Sequence, residues 1–321
     1  MKAKVSQTVV LDGIIQFENR YQFGTQYDEN ETDPAKLIST YLSKIFSYTG
    51  KKVYIMVDEY DHFANSLLGN REVFTKITGK DGFVRSFYET SKMHAGSGCV
   101  DRIFITGVTS LTLDSLTSGF NIAQNVSMFP ELNEMTGFTS EEAKALLKEI
   151  EVSDVEGTME TLTENYNGYC FHKRAENKVF NSNMVLYFMD AYQRKKAIPE
   201  QLTDPNMRSD YHKLTAMFDL FEEEEAKQLI LEKIINHERL ETDIITNFNF
   251  SAPFREEDFL SLLFYLGLLT IKEEGRAFDV ALQTPNAVIR DIYYQYYANY
   301  LNLTTRETRT AIADIGFSIL L

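Results

Sequence analysis

The run KVYIMVD, residues 52 to 58, constrains the fold more than any other stretch of these 321 residues. Its apolar, β-prone residues are continuous rather than alternating. That is the pattern of a strand covered on both faces, as in a parallel sheet sandwiched between helices. The run ends abruptly in DEYDH, so carboxylates crowd where the strand would leave the interior. Its neighbours fit the same layering. TVVLDGII (8 to 15) reads as an earlier strand. Asp33 and Pro34 form an N-cap and first-turn pair, opening a helix in which Leu37, Ile38, Tyr41, Leu42, Ile45 and Phe46 keep a helical period until Gly50. After a polar loop around Gly69 and Asn70, DGFVRSFYETSKMH (81 to 94) reads as a second helix, and DRIFITG (101 to 107) as a third strand. Strand, helix and strand in alternation predict an α/β layer with right-handed crossovers. Thr139 and Glu142 stand at capping-box spacing ahead of a helix with Leu146, Leu147 and Ile150 on one side.

The alternation stops after residue 150. YNGYCF (166 to 171) reads as an aromatic turn, followed by a helix from about Asn183 to Arg194. EEEEAKQLILEKIINHERL reads as a helix whose early acids and later bases suit the helix macrodipole. Near the end, EEDFLSLLFYLGLL (256 to 269), a hairpin over TIKEEGRAFDVAL and a helix over TPNAVIRDIYYQYYANYL suggest a winged-helix-like unit. Three regions are therefore expected: an α/β core over 1–150, a helical region over 151–245 and the winged-helix-like unit over 246–321.

Composition narrows the function classes. Apolar residues make up 44% and charged residues 25%, an ordinary globular balance. The net charge of −15 opposes non-specific attraction to nucleic acid or anionic lipid. Cys99 and Cys170 make no disulfide framework, MKAKVSQTVV lacks the features of a secretory signal, and no apolar run reaches membrane-spanning length. A cytoplasmic protein is expected.

At the carboxyl end of a parallel strand, where α/β sheets place their ligands, an Asp-Glu pair has the Walker B arrangement. The Asp organises Mg²⁺ through water and the Glu polarises the attacking water. The plainer alternative is a pair of acids capping a strand end in solvent. Other constellations are weaker. DEYDH also has the form of a helicase DExD/H string, without the phosphate loop or basic channel such enzymes need. Glu176 and Lys178 form a nuclease-like E-x-K that reads better as a surface turn. His62, His94, His172, His212 and His237 lack zinc-site spacing, and Cys170 reads as a partly buried thiol.

Taken in order, VYIMVDEYDHFANSLL, DRIFITGVTSLTLDSLTSGFNIAQNVSMFPELNEMTGFTSEEAKALL, YNGYCFHKRAENKVFNSNMVLYFMDAY, FLSLLFYLGLLTI and ALQTPNAVIRDIYY resemble the AAA-ATPase-like family of bacterial proteins. In that family a P-loop ATPase domain is often followed by a nuclease-like domain. The resemblance implies that Asp58 organises Mg²⁺ beside ATP, that Glu59 activates water, and that Thr106 is a sensor residue facing the γ-phosphate. It also implies a GxxxxGK[ST] loop, and these residues contain none; ITGKDG (77 to 82) and GSGCVD (96 to 101) read as turns. The sequence is thus expected to begin after that strand, loop and helix and to end before a nuclease-like domain, leaving an incomplete P-loop NTPase-like sheet. Leaving about ten strand hydrogen bonds unmade, at roughly 0.5 to 1.5 kcal/mol each, rivals the stability of a domain. A partial ATPase not competent alone is the leading expectation. The alternative is a binding or regulatory module for a protein partner, one that carries the missing loop, or for a second copy of itself.

Overall fold

The computed structural model describes residues 33–61, 82–107, 123–204, 224–236, 238–246 and 255–300. The expected strand at 8–15, the loop around Gly69, ITGKDG except for Gly82, most of ITGVTSLTLDSLTSGFNIA, and His62, His212 and His237 lie outside them. The chain divides into two compact units, Met1–Gly107 with Thr112–Ala123, and Val108–Leu111 with Gln124–Leu321.

In the first unit, α1 (Pro34–Thr49) begins where the Asp33 side chain accepts a hydrogen bond from the Ala35 amide at 3.0 Å, and Gly50 closes it in a left-handed conformation. Strand β1 (Val53–Val57) is followed by α2 (Phe83–Gly96) and β2 (Val100–Ile105). The residues GSGCVD are indeed the turn and strand start that join α2 to β2. The two strands pair in parallel, with Tyr54 opposite Arg102, Ile55 opposite Ile103, Met56 opposite Phe104 and Val57 opposite Ile105. Parallel pairing across a helical crossover is the arrangement the alternation predicts.

Helix α2 packs Val84 and Tyr88 with Phe87 against Ile103 and Ile105. The i, i+4 spacing of its two buried residues puts both on the face toward the sheet. Among the described residues, packing of this kind lies on one face of β1 and β2. On the other, Tyr54 is 61% exposed, Met56 80% and Phe104 45%, so the described residues cover one face where the sequence suggests two. The continuous apolar run forms a strand whose alternate residues meet water.

The second unit has its core where α3 (Ser140–Glu149), α4 (Val155–Tyr166) and α5 (Ser182–Lys195) meet. Ala143, Leu147, Leu162, Tyr166, Val185 and Phe188 are all fully buried there. Thr139 and Glu142 form the expected capping box. Two short strands, β3 (Gly137–Phe138) and β4 (Phe180–Asn181), pair antiparallel beside these helices. Helix α6 (Glu224–Ile235) ends earlier than its sequence suggests, and β5 (Leu240–Thr242) follows. Then come α7 (Glu256–Tyr265), the hairpin β6 (Thr270–Glu274) and β7 (Val280–Gln283), and α8 (Ala287–Tyr300). The last three strands form an antiparallel sheet in the order β5, β7, β6. Inside the aromatic turn, the Cys170 amide donates to Thr270 Oγ1 at 2.7 Å and its carbonyl accepts from the Ile271 amide at 3.2 Å, tying the turn to β6.

Candidate functional site

The ends of β1 and β2 meet in a small clasp. Because the strands run parallel and in register, both leave the sheet at the same side, and the residues beyond them become neighbours. The Thr106 amide donates to the Val57 carbonyl at 2.8 Å, and the Thr106 carbonyl accepts from the Tyr60 amide at 3.0 Å. The Thr106 hydroxyl donates to Asp58 Oδ1 at 2.5 Å, the short limit for an O–H to carboxylate bond. The Glu59 amide reaches the same oxygen at 3.0 Å. Asp58, Glu59 and Thr106, which the sequence picked out, are therefore brought together, and all three are exposed.

Two turn features were not visible in the sequence pattern. Glu59 has φ of +50°, a left-handed backbone that a residue with a Cβ adopts at a cost. The reversal lets the chain turn after Asp58 so that the Tyr60 amide returns to Thr106. Second, Tyr60 and Asp61 are buried, Asp61 to 1% exposure. A Cβ added to Gly107 would overlap the Tyr60 ring and stand 2.7 Å from Asp61 Oδ1, so the backbone after Thr106 lies directly on these two side chains. Burial pushes the Tyr88 phenol up to about 12, and the nearby Asp61 carboxylate adds to the shift. The third acid of DEYD is thus an inward member of the turn. The string itself was its only signal.

This geometry suits one kind of metal chemistry and leaves another part unsupplied. Magnesium takes one or two carboxylates and fills its octahedron with water and phosphate oxygens. Asp58 offers an exposed carboxylate with Oδ1 already hydrogen-bonded, which fits an ion that arrives with most of its own ligands. Among the described residues, no group of three or more His, Cys, Asp or Glu side chains is placed to hold a metal by itself. Nor does any described loop carry the amide cradle and lysine that would grip a triphosphate.

The remaining sequence candidates lie elsewhere. Glu176 and Lys178 are exposed in a turn between α4 and β4. The Cys170 thiol donates to the His172 carbonyl at 3.2 Å, and burial raises its pKa, the reverse of an activated nucleophile. His172 Nδ1 accepts from the Arg174 amide at 3.0 Å. His94 is buried, with Nε2 2.9 Å from the Ser39 hydroxyl. Cys99 is a half-buried free thiol. Among the described residues, no helix is long and apolar enough to cross a membrane.

Comparison with known proteins bears on the first unit. Residues 5–117 match the AAA-ATPase-like family, described as "Predicted AAA-ATPase". The match includes α1, β1, α2, β2 and the whole clasp. Neither curated proteins nor solved structures yield a match.

Proposed function

We propose, from the match of residues 5–117 to the AAA-ATPase-like family, that this chain carries the metal-and-water half of an ATPase site, while its residues hold no GxxxxGK[ST] string for the phosphate-gripping half. Asp58 would hold a water of the magnesium shell, and Glu59 would accept a proton from the attacking water. Bound magnesium supplies charge neutralisation at the phosphate oxygens. What this chain contributes is the placing of two carboxylates at one strand end, one fixed by hydrogen bonds and the other on a reversed backbone. Thr106, on the adjacent strand, completes the group.

The observation that carries this reading is the Thr106 to Asp58 hydrogen bond at the shared exit of two parallel strands, within the family-matched residues. Acids that merely cap a strand in water need no such partner. The same reading makes the chain a poor ATPase alone. With no GxxxxGK[ST] string among these residues to offset them, two carboxylates near a triphosphate repel it. Purified protein with millimolar Mg-ATP is expected to release phosphate no faster than its Glu59→Gln variant. Steady turnover that disappears in Glu59→Gln would show a competent enzyme and reject the proposal.

A second reading, a binding module, draws on the open sheet face. Tyr54, Met56 and Phe104 form an apolar strip, with the Arg102 guanidinium 6.0 Å from the Tyr54 ring centre. The occupant it favours is a polypeptide bearing a strand and GxxxxGK[ST] loop, because that segment supplies both an apolar cover and the missing phosphate grip. Gel filtration of the chain with such a polypeptide distinguishes the readings, since a chain that elutes alone at micromolar concentrations disposes of this one. The end of the second unit, with α7, a hairpin and α8, supports a winged-helix-like assignment, which fits the same partner-holding role.

A further inference from the structure

Thr106 offers one hydroxyl hydrogen, and that hydrogen is already committed. A threonine hydroxyl has a single O–H donor, and a phosphate oxygen only accepts. With the hydrogen directed at Asp58 Oδ1, the hydroxyl has none left to give a γ-phosphate. Its oxygen would meet the phosphate as acceptor against acceptor. The backbone resists a change of role, because the Thr106 amide and carbonyl are both held by the opposing turn, through Val57 and Tyr60. Gly107 sits against Tyr60 and Asp61 and fixes the next residue as well.

The same bonds decide how Asp58 is presented. Oδ1 receives two donors, the Thr106 hydroxyl at 2.5 Å and the Glu59 amide at 3.0 Å. A carboxylate pinned through one oxygen has its rotation about χ2 removed, which leaves Oδ2 as the oxygen offered outward. We propose that Thr106 is a positioning residue for Asp58, acting through that carboxylate on a divalent cation, rather than a contact to phosphate. The proposal rests on the reading of Asp58 as the metal-organising acid. It reassigns the residue that family resemblance places at the γ-phosphate.

Two measurements on the full chain test it, one of them independent of any metal. Urea unfolding in metal-free buffer is compared for Thr106→Val, Asp58→Ala and the double variant. Side chains that act through each other are non-additive in such a cycle, so the double variant should unfold close to the midpoint of the weaker single variant. Manganese, as a paramagnetic stand-in for magnesium, is then titrated without nucleotide and the free ion followed by electron paramagnetic resonance. Affinity should fall about tenfold to a hundredfold in Thr106→Val, the usual effect of losing a partner that orients a metal ligand, and be retained in Thr106→Ser, which keeps the donor. Additive unfolding effects, or unchanged manganese affinity in Thr106→Val, overturn the proposal. Wild-type protein that binds no manganese removes the metal role of Asp58 instead, and the unfolding cycle still decides whether Thr106 acts on it.

Discussion

At Glu59, the proposed role and stability pull in opposite directions. A non-glycine residue in the left-handed region costs roughly 1 to 2 kcal/mol, while glycine's greater freedom in the unfolded chain costs about 0.4 to 1 kcal/mol. With φ at +50°, Glu59→Gly should therefore stabilise the protein by roughly 0.5 to 1 kcal/mol. Urea unfolding of the purified variant measures this, and a destabilised Glu59→Gly would mean that the carboxylate makes contacts worth more than the backbone strain. A residue kept in a costly conformation beside two other polar groups is what a working site tends to contain. That Asp58, Glu59 and Thr106 lie together was foreshadowed in the sequence, the two acids by their place at the end of a strand and Thr106 by the family resemblance. The reversed backbone at Glu59 and the burial of Asp61 were not, since both depend on β2 returning alongside β1, and no local pattern encodes that contact.

Among the elements, those with strong local signals matched the structure best. Helix α3 has its start written twice, by the Thr139 hydroxyl accepting from the Glu142 amide at 3.2 Å and by Glu142 Oε2 accepting from the Thr139 amide at 2.9 Å. Removing one half by Thr139→Ala should cost about 1 kcal/mol, typical of a lost N-cap, seen as a lower urea midpoint with unchanged slope. No loss would show that the cap is redundant with the packing of Ala143 and Leu147. Helix α4 escaped the sequence reading, although Asp154 caps it by accepting from the Gly157 amide at 3.0 Å. Its buried stripe is Thr158, Leu162 and Tyr166, so a polar residue and an early glycine blur the apolar period. Strand β5 escaped too. Only three residues long, it offers too little alternation to detect and exists by pairing with β7. The strand character of β1 was plain, but not its open face, because apolar residues on an exposed face read the same as buried ones.

Across the whole molecule, buried phenols set the behaviour in alkali. Tyr88 in the first unit is raised to about 12, first by burial and then by Asp61. In the second unit burial raises Tyr166, with a smaller push from Tyr187, and burial alone raises Tyr293. A phenol whose pKa is higher when folded stays protonated after its unfolded counterpart has ionised near pH 10. Its contribution is complete below pH 10 and is lost as pH climbs toward the folded value, at on the order of 1 kcal/mol per pH unit per group. For Tyr166 ionisation would also remove the donor of its 2.7 Å bond to the Leu202 carbonyl. Urea midpoints should therefore hold level up to about pH 10 and fall steeply beyond it. A chain with a net charge of −15 at neutral pH becomes still more negative as its lysines discharge, and general self-repulsion lowers stability over the same range. Tyr88→Phe separates the two causes, because it removes one buried phenol and leaves the net charge at neutral pH unchanged. A shallower decline above pH 10 in Tyr88→Phe assigns that part of the loss to the phenol beside Asp61, and an identical decline assigns it to repulsion.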